Sequence, residues 1–169
     1  MLILSPIFLI LIVTVKLDSK GPVFFTQKRI GRNKKHFKIL KFRTMKIDTP
    51  HDTATHLLIN HDSYVTRAGN ILRKYSLDEL PQLINILKGD MSGIGPRPAL
   101  WNQFDLIAER DKYSANEVRP GLTGLAQICG ESEPLIPKKA KLDGIYIEKM
   151  SFVYDLKVAL KTIVSIIRR

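Results

Sequence analysis

SLDELPQLINILKGDMSGIGPRP, residues 76–98, sets two adjacent carboxylates, Asp78 and Glu79, ahead of an apolar run and closes on a Gly/Pro-rich turn carrying one arginine, Arg97. Leu80, Leu83, Ile84 and Leu87 recur at helical spacing and predict a helix over residues 77–87. Ser76 to Glu79 has the S-x-x-E form of a capping box, in which the Ser76 hydroxyl accepts from the Glu79 N–H and the Glu79 carboxylate reaches back. That motif explains Ser76 and Glu79 but not Asp78. It also sits poorly with Pro81, which removes an early helical hydrogen bond and biases Leu80 away from the α region.

A chemical role accounts for the pair as well. At a helix N-terminus, free N–H groups and the positive end of the dipole keep an aspartate ionised and can hold a phosphate oxygen. An ionised aspartate can attack phosphorus to form an acyl phosphate. Two carboxylates beside a polyphosphate also suit Mg²⁺, which takes one or two protein carboxylates plus phosphate oxygens. Arg73 before the pair and Arg97 after it could neutralise charge on a transferring group.

Outward from this block, Val65, Ala68, Ile71 and Leu72 keep helical spacing through residues 64–74, and residues 101–112 and 138–149 read as further helices. Upstream, residues 23–25 and 36–45 read as two strands around a polar turn at residues 31–35, a β-hairpin. Residues 119–128, RPGLTGLAQI, read as a turn with a strand-like end. Residues 47–63 read as a loop. It holds His51, His56 and His61, whose spacing does not bring them to one helix face as metal ligands. The C-terminal SFVYDLKVALKTIVSIIRR has an apolar stripe of Phe152, Val153, Leu156, Leu160, Ile163, Val164 and Ile167 edged by Lys157, Lys161, Arg168 and Arg169. That pattern suits an interfacial helix or a core helix equally.

The first fifteen residues, MLILSPIFLILIVTV, are almost wholly apolar. They lack the basic start and cleavage site of a signal peptide and fall short of the ~20 apolar residues a bilayer span requires. Pro6 inside the run would bend a helix there. A segment entering a membrane partway fits better than a buried core helix, because apolar residues lie on every face. Nine basic residues and no acidic one lie between Lys28 and Lys46, as in a juxtamembrane patch where each charge contributes ~1 kcal/mol near anionic lipid. Over the whole chain, 27 lysines and arginines face 16 aspartates and glutamates among 169 residues, a net charge of +11. So basic a surface attracts nucleic acid, anionic lipid or phosphorylated metabolites. The length suits one domain. The single cysteine, Cys129, excludes an internal disulfide and reads as a small buried apolar group.

SPIFLIL, GPVFFTQKRIGRNKKHFKILKFRTM, TRAGNILRKYSLDELPQLINILKGDMSGIGPRP and VRPGLTGLAQICG, in this order, resemble the bacterial sugar transferase family, the monotopic phosphoglycosyl transferases. The resemblance runs from Leu4 to the C-terminus. It implies an α+β, mainly helical single domain with a small β-hairpin or sheet, a re-entrant N-terminal segment over residues 1–16, and a catalytic domain over residues 17–169 with amphipathic interfacial helices. It implies Mg²⁺-dependent transfer of a sugar 1-phosphate from a UDP-sugar to undecaprenyl phosphate, releasing UMP through a covalent aspartyl intermediate. That reaction is the first membrane step of surface glycan synthesis, feeding downstream glycosyltransferases from the cytoplasmic face of the bacterial inner membrane. Carried over, Asp78 is the nucleophile and Glu79 its partner in metal binding or proton handling. Pro96, Arg97 and Pro98 lie near the nucleotide; Lys41, Arg73, Arg119 and Asp143 line the pocket; and Ser5 and Pro6 form the membrane break.

The departure from the family lies at the N-terminus. Family members normally open with a basic pair and a longer apolar arm, whereas this chain reaches Ser5 barely one turn after Met1. The expectation is therefore a missing entering arm, through a start assigned too late or a truncation. Two other readings are a catalytically impaired adaptor of the same fold, which the intact Asp78, Glu79 and Arg97 disfavour, and a nucleic-acid-binding module. For the latter no reading motif is present, and Phe37 and Phe42 fit strand core positions better than stacking platforms.

Overall fold

The computed structural model describes residues 5–50, 53, 61–129 and 135–167. His51, His56, Pro134, Arg168 and Arg169, and most of the loop expected over residues 47–63, lie outside them. The fold mixes eight α-helical segments with four short strands among the described residues. The chain packs as two compact units, one from residues up to Gln27 with Leu40–Pro81, the other from Lys28–Ile39 with Gln82 onward. Strands β1 (Phe24–Ile30) and β2 (His36–Phe42) form the expected hairpin and contribute to both. Its turn places Asn33 and Lys34 at positive φ.

In the first unit, helix α1 (Ser5–Asp18) buries Leu11 and Val15 against Phe42, Ala68 and Leu72. At about 1.5–3 kcal/mol per fully buried large apolar side chain, this cluster is a main stabilising element of the unit. Phe42 lies between Phe8 and Phe24, with ring centroids 5.5 and 5.4 Å away. Ile7, Leu9, Ile10, Val13 and Leu17 remain exposed, so α1 is apolar on its packed and its open faces alike. Pro6 lies at the edge of the described part of α1, and the bend expected there would involve residues 1–4, which lie outside the described residues. No helix among the described residues is long and apolar enough to cross a membrane.

Expected as one helix from residue 64, the next segment is a turn, α2 (His61–Tyr64), and a separate helix, α3 (Arg67–Lys74). Thr66 divides them: it caps α3 by accepting from the Gly69 N–H at 3.0 Å, and its own N–H donates to the Thr44 carbonyl at 3.0 Å. A Cβ on Gly69 would strike the backbone of Thr44, so only glycine allows α3 to lie this close to the exit of β2.

The helix expected over residues 77–87 is also divided. Leu77–Glu79 forms a 3₁₀ turn and α4 begins at Gln82 (Gln82–Leu87). Pro81 has no N–H to continue the α ladder, and Leu80 donates to Leu77 O at 3.3 Å instead. Leu80 nonetheless stays in the right-handed α region, against the bias expected before proline. The capping box does not form. Ser76 adopts φ 55° with no side-chain cap, and the Glu79 N–H donates to the Ser76 carbonyl at 3.2 Å.

The second unit contains a strand pair absent from the sequence reading. β3 (Ser92–Ile94) and β4 (Gly121–Thr123) pair in parallel, Ser92 opposite Gly121 and Ile94 opposite Thr123. Parallel pairing requires a crossover, which here includes α5 (Phe104–Asp111). A Cβ on Gly121 would collide with the backbone of Gly95, so this approach needs glycine. After β4 the chain turns into α6 (Leu125–Ile128), where a strand-like end was expected. Cys129 is exposed just past that helix rather than buried. Helices α7 (Ile136–Lys149) and α8 (Phe152–Ile167) follow close to expectation.

Candidate active site

In the first unit, Lys41 on β2 faces the 3₁₀ turn. Its Nζ is 2.7 Å from Glu79 Oε1 and 3.9 Å from Asp78 Oδ2, all three side chains being largely buried. Both carboxylates thus converge on one cation. Arg73, in the last turn of α3, donates through Nε to Thr44 Oγ1 at 2.9 Å. Burial lowers the pKa of its guanidinium, while the charges of Asp78 and Asp62 oppose that shift. The structure therefore gathers Asp78, Glu79, Lys41 and Arg73 around the β2 exit. Asp78 belongs to a 3₁₀ turn rather than to the first turn of an α-helix. Lys41, 3.9 Å away, and Arg73, whose guanidinium feels its charge, are cations in its field.

Asp78 and Glu79 supply hard oxygen donors on consecutive residues aimed at a common point of positive charge. That donor chemistry fits Mg²⁺, which needs one or two protein carboxylates and completes its shell with phosphate oxygens and water. Among the described residues no cluster of three or more His, Cys, Asp or Glu side chains forms a metal centre without a ligand's help.

In the second unit, Pro96, Arg97 and Pro98 follow β3 after Gly95. The Pro96 carbonyl accepts from the Gly121 N–H at 2.9 Å and the Pro98 carbonyl from Arg29 Nη1 at 3.0 Å. Arg97 is thus held between two fixed peptide groups. The hollow beside Pro96, Pro98, Arg110 and Pro120 admits no more than about a water molecule. Arg119 is exposed, just before β4. Asp143 is buried on α7 and pairs with Arg110 of α5, Oδ2 lying 2.6 Å from Nη2 and 2.8 Å from Nε. Burial pushes the Asp143 carboxyl above its usual range, against the charge and hydrogen bond of Arg110. Ser5 and Pro6 are the first described residues of α1.

Two residues of this unit escaped the sequence reading. Arg110 sits on the buried face of α5, where an arginine needs an acidic partner that only tertiary structure reveals. Lys139, one turn before Asp143, has its pKa pushed down to about 8, chiefly by burial and then by Arg110, with Arg97 and Arg29 adding to the effect and Asp143 opposing it. Arg29, Arg97, Arg110 and Lys139 thus share one positive field.

The family model described as Bacterial sugar transferase matches residues 1–169. The chain is 38% identical over 180 residues to the exopolysaccharide production protein ExoY of Rhizobium meliloti, covering 98% of this chain and 79% of that protein. It is 42% identical over 159 residues to a sugar transferase, EpsL, of Bacillus subtilis, covering 94% and 77%. It is also 42% identical over 172 residues to a UDP-glucose:undecaprenyl-phosphate glucose-1-phosphate transferase of Caulobacter vibrioides, covering 96% and 63%.

Proposed function

Because this chain belongs to the bacterial sugar transferase family, we propose that it transfers a sugar 1-phosphate from a UDP-sugar to undecaprenyl phosphate, with Asp78 as covalent nucleophile. The observation that carries the assignment is the convergence of Asp78 and Glu79 on Lys41, with Arg73 in the field of Asp78. An Asp78 carboxylate oxygen attacks the sugar-proximal phosphorus, the bridging P–O bond breaks, and UMP departs. A phosphate oxygen of undecaprenyl phosphate then attacks the same phosphorus, giving the diphosphate-linked sugar and restoring the carboxylate.

Lys41 holds Glu79 in place and offsets its charge, so that an anionic donor can approach Asp78. Arg73, tied to Thr44, presents a fixed positive charge to the transferring phosphoryl group. Asp78 and Glu79 would hold Mg²⁺, which when bound neutralises diphosphate charge. In the second unit, the resemblance assigns Pro96, Arg97, Pro98 and Arg119 to the nucleotide. The Arg110 pairing of Asp143 supports a positioning part for that residue. Glucose 1-phosphate is the first group to test, given the name of the Caulobacter relative. Membrane attachment through α1 and α8 belongs to the same proposal, supported by their exposed apolar residues. It places the enzyme on the cytoplasmic face of the inner membrane, supplying downstream glycosyltransferases.

The test is UMP release from UDP-glucose with undecaprenyl phosphate and Mg²⁺. Asp78→Asn is expected to lower the rate by about three orders of magnitude or more. Intact-protein mass spectrometry with UDP-glucose alone should reveal a hexose-phosphate adduct that Asp78→Asn lacks. Turnover surviving in Asp78→Asn would refute the nucleophile assignment.

A further inference from the structure

Tyr146 lies on α7 one turn beyond Asp143, and it too is buried, with 2% of its surface exposed. Its hydroxyl is 2.8 Å from Asp155 Oδ1, in the first turn of α8, and 3.3 Å from the carbonyl oxygen of Ile94, the last residue of β3. A phenol has one proton, so these acceptors share it, with the nearer carboxylate taking the larger part. Burial and Asp155 raise the phenol pKa, and the hydroxyl stays a donor at any working pH.

Beyond Ile94 the chain runs straight into Gly95, Pro96 and Arg97. Gly95 donates to Thr123 O at 2.9 Å. On the other strand, Thr123 Oγ1 lies 2.9 Å from Thr162 Oγ1 of α8, and Val158 between Asp155 and Thr162 is buried. The inner face of α8 therefore grips both strands, through Asp155 and Tyr146 on β3 and through Thr162 on β4.

We infer that Tyr146 is a positioning residue, whose hydroxyl joins α8 to the end of β3 and so sets the backbone that presents Arg97 to the nucleotide. This rests on the assignment of Arg97 made above. Tyr146→Phe keeps the ring, which packs 6.2 Å from Tyr154 between centroids, and removes only the hydroxyl that both acceptors share. The loss of one such bond should raise KM for UDP-glucose about fivefold with kcat within about twofold of wild type. Asp155→Ala should match it. Asp155→Asn, which keeps an acceptor oxygen, should restore KM to near the wild-type value. Tyr146→Phe combined with Asp155→Ala should be no worse than either alone, because both break one link.

Equilibrium titration with UMP gives a second readout without turnover, in which Tyr146→Phe should weaken binding by the same factor. A Tyr146→Phe protein with a lower melting temperature but unchanged KM and UMP affinity overturns the inference and leaves Tyr146 a packing residue. If Arg97→Ala weakens UMP binding in that case, only the inference falls. If Arg97→Ala also leaves UMP binding unchanged, the assignment of Arg97 falls with it.

Discussion

Lys139 shows how the site's charge bears on stability at the level of a single side chain. Its pKa in the folded protein, about 8, lies below its ordinary value of 10.5. Between those values the unfolded chain binds more protons, so stability rises with pH through this window. Below pH about 8 the ammonium is charged in both states, and the cost of burying it beside Arg110 is fully present. Replacing it by a neutral side chain of similar length removes that cost. Lys139→Gln should therefore raise the urea midpoint at neutral pH and flatten its rise between pH 8 and 10.5. An unchanged pH dependence would show that Lys139 does not carry this charge. Asp143 is the complementary case: its buried carboxylate stays paired because Arg110 supplies both charge and hydrogen bond.

At the scale of elements, the attachment of α1 depends on Arg43, one residue past β2. Its buried guanidinium donates to the carbonyls of Ser19 at 2.7 Å and Val15 at 3.4 Å, and to that of Lys20. These are carbonyls at and just beyond the end of α1, which have no helical partner and carry the negative end of the dipole. Arg43→Met keeps much of the side-chain volume and leaves those groups unsatisfied. It should cost about 2–3 kcal/mol in urea unfolding and speed amide exchange in the last turn of α1. An unaltered midpoint would mean that water serves these carbonyls equally well. The same segment carries Lys41 and Thr44, so one strand exit orients the helix end, Glu79 and Arg73 together.

Across the whole molecule, a net charge of +11 combines with exposed apolar residues on α1 and along α8, the latter including Phe152, Leu156, Leu160, Ile163 and Ile167. Lys157 and Lys161 are exposed on the same helix as that stripe. Among the described residues of α8 only Val158 is fully buried and the stripe is exposed, which supports the membrane attachment proposed above, whereas a core helix would bury the stripe. The protein should co-sediment with anionic vesicles more strongly than with neutral ones, and less so as salt rises. Leu160→Ser with Ile163→Ser should weaken that binding by about tenfold or more, since two large apolar side chains no longer enter the lipid. Equal sedimentation of this variant and wild type would exclude α8 as the attachment.

The sequence by itself determined the hairpin, the long helices α7 and α8, and the Asp78–Glu79 block, because periodicity, turn residues and adjacent carboxylates are local signals. It also placed the division at Pro81 under suspicion, though not its form. Only the tertiary structure decided that Ser76 turns left-handed, since Glu79 is drawn to Lys41, thirty-eight positions away, instead of back to its own cap. The β3–β4 pair likewise had no local mark. Its strands are three residues long and glycine-rich, too short for an alternating pattern, and their pairing depends on segments that meet only after α5 has intervened. The same holds for Arg110 with Asp143 and for Tyr146 with Asp155. A buried polar group is stable only through a partner, and the fold rather than the neighbouring sequence supplies that partner.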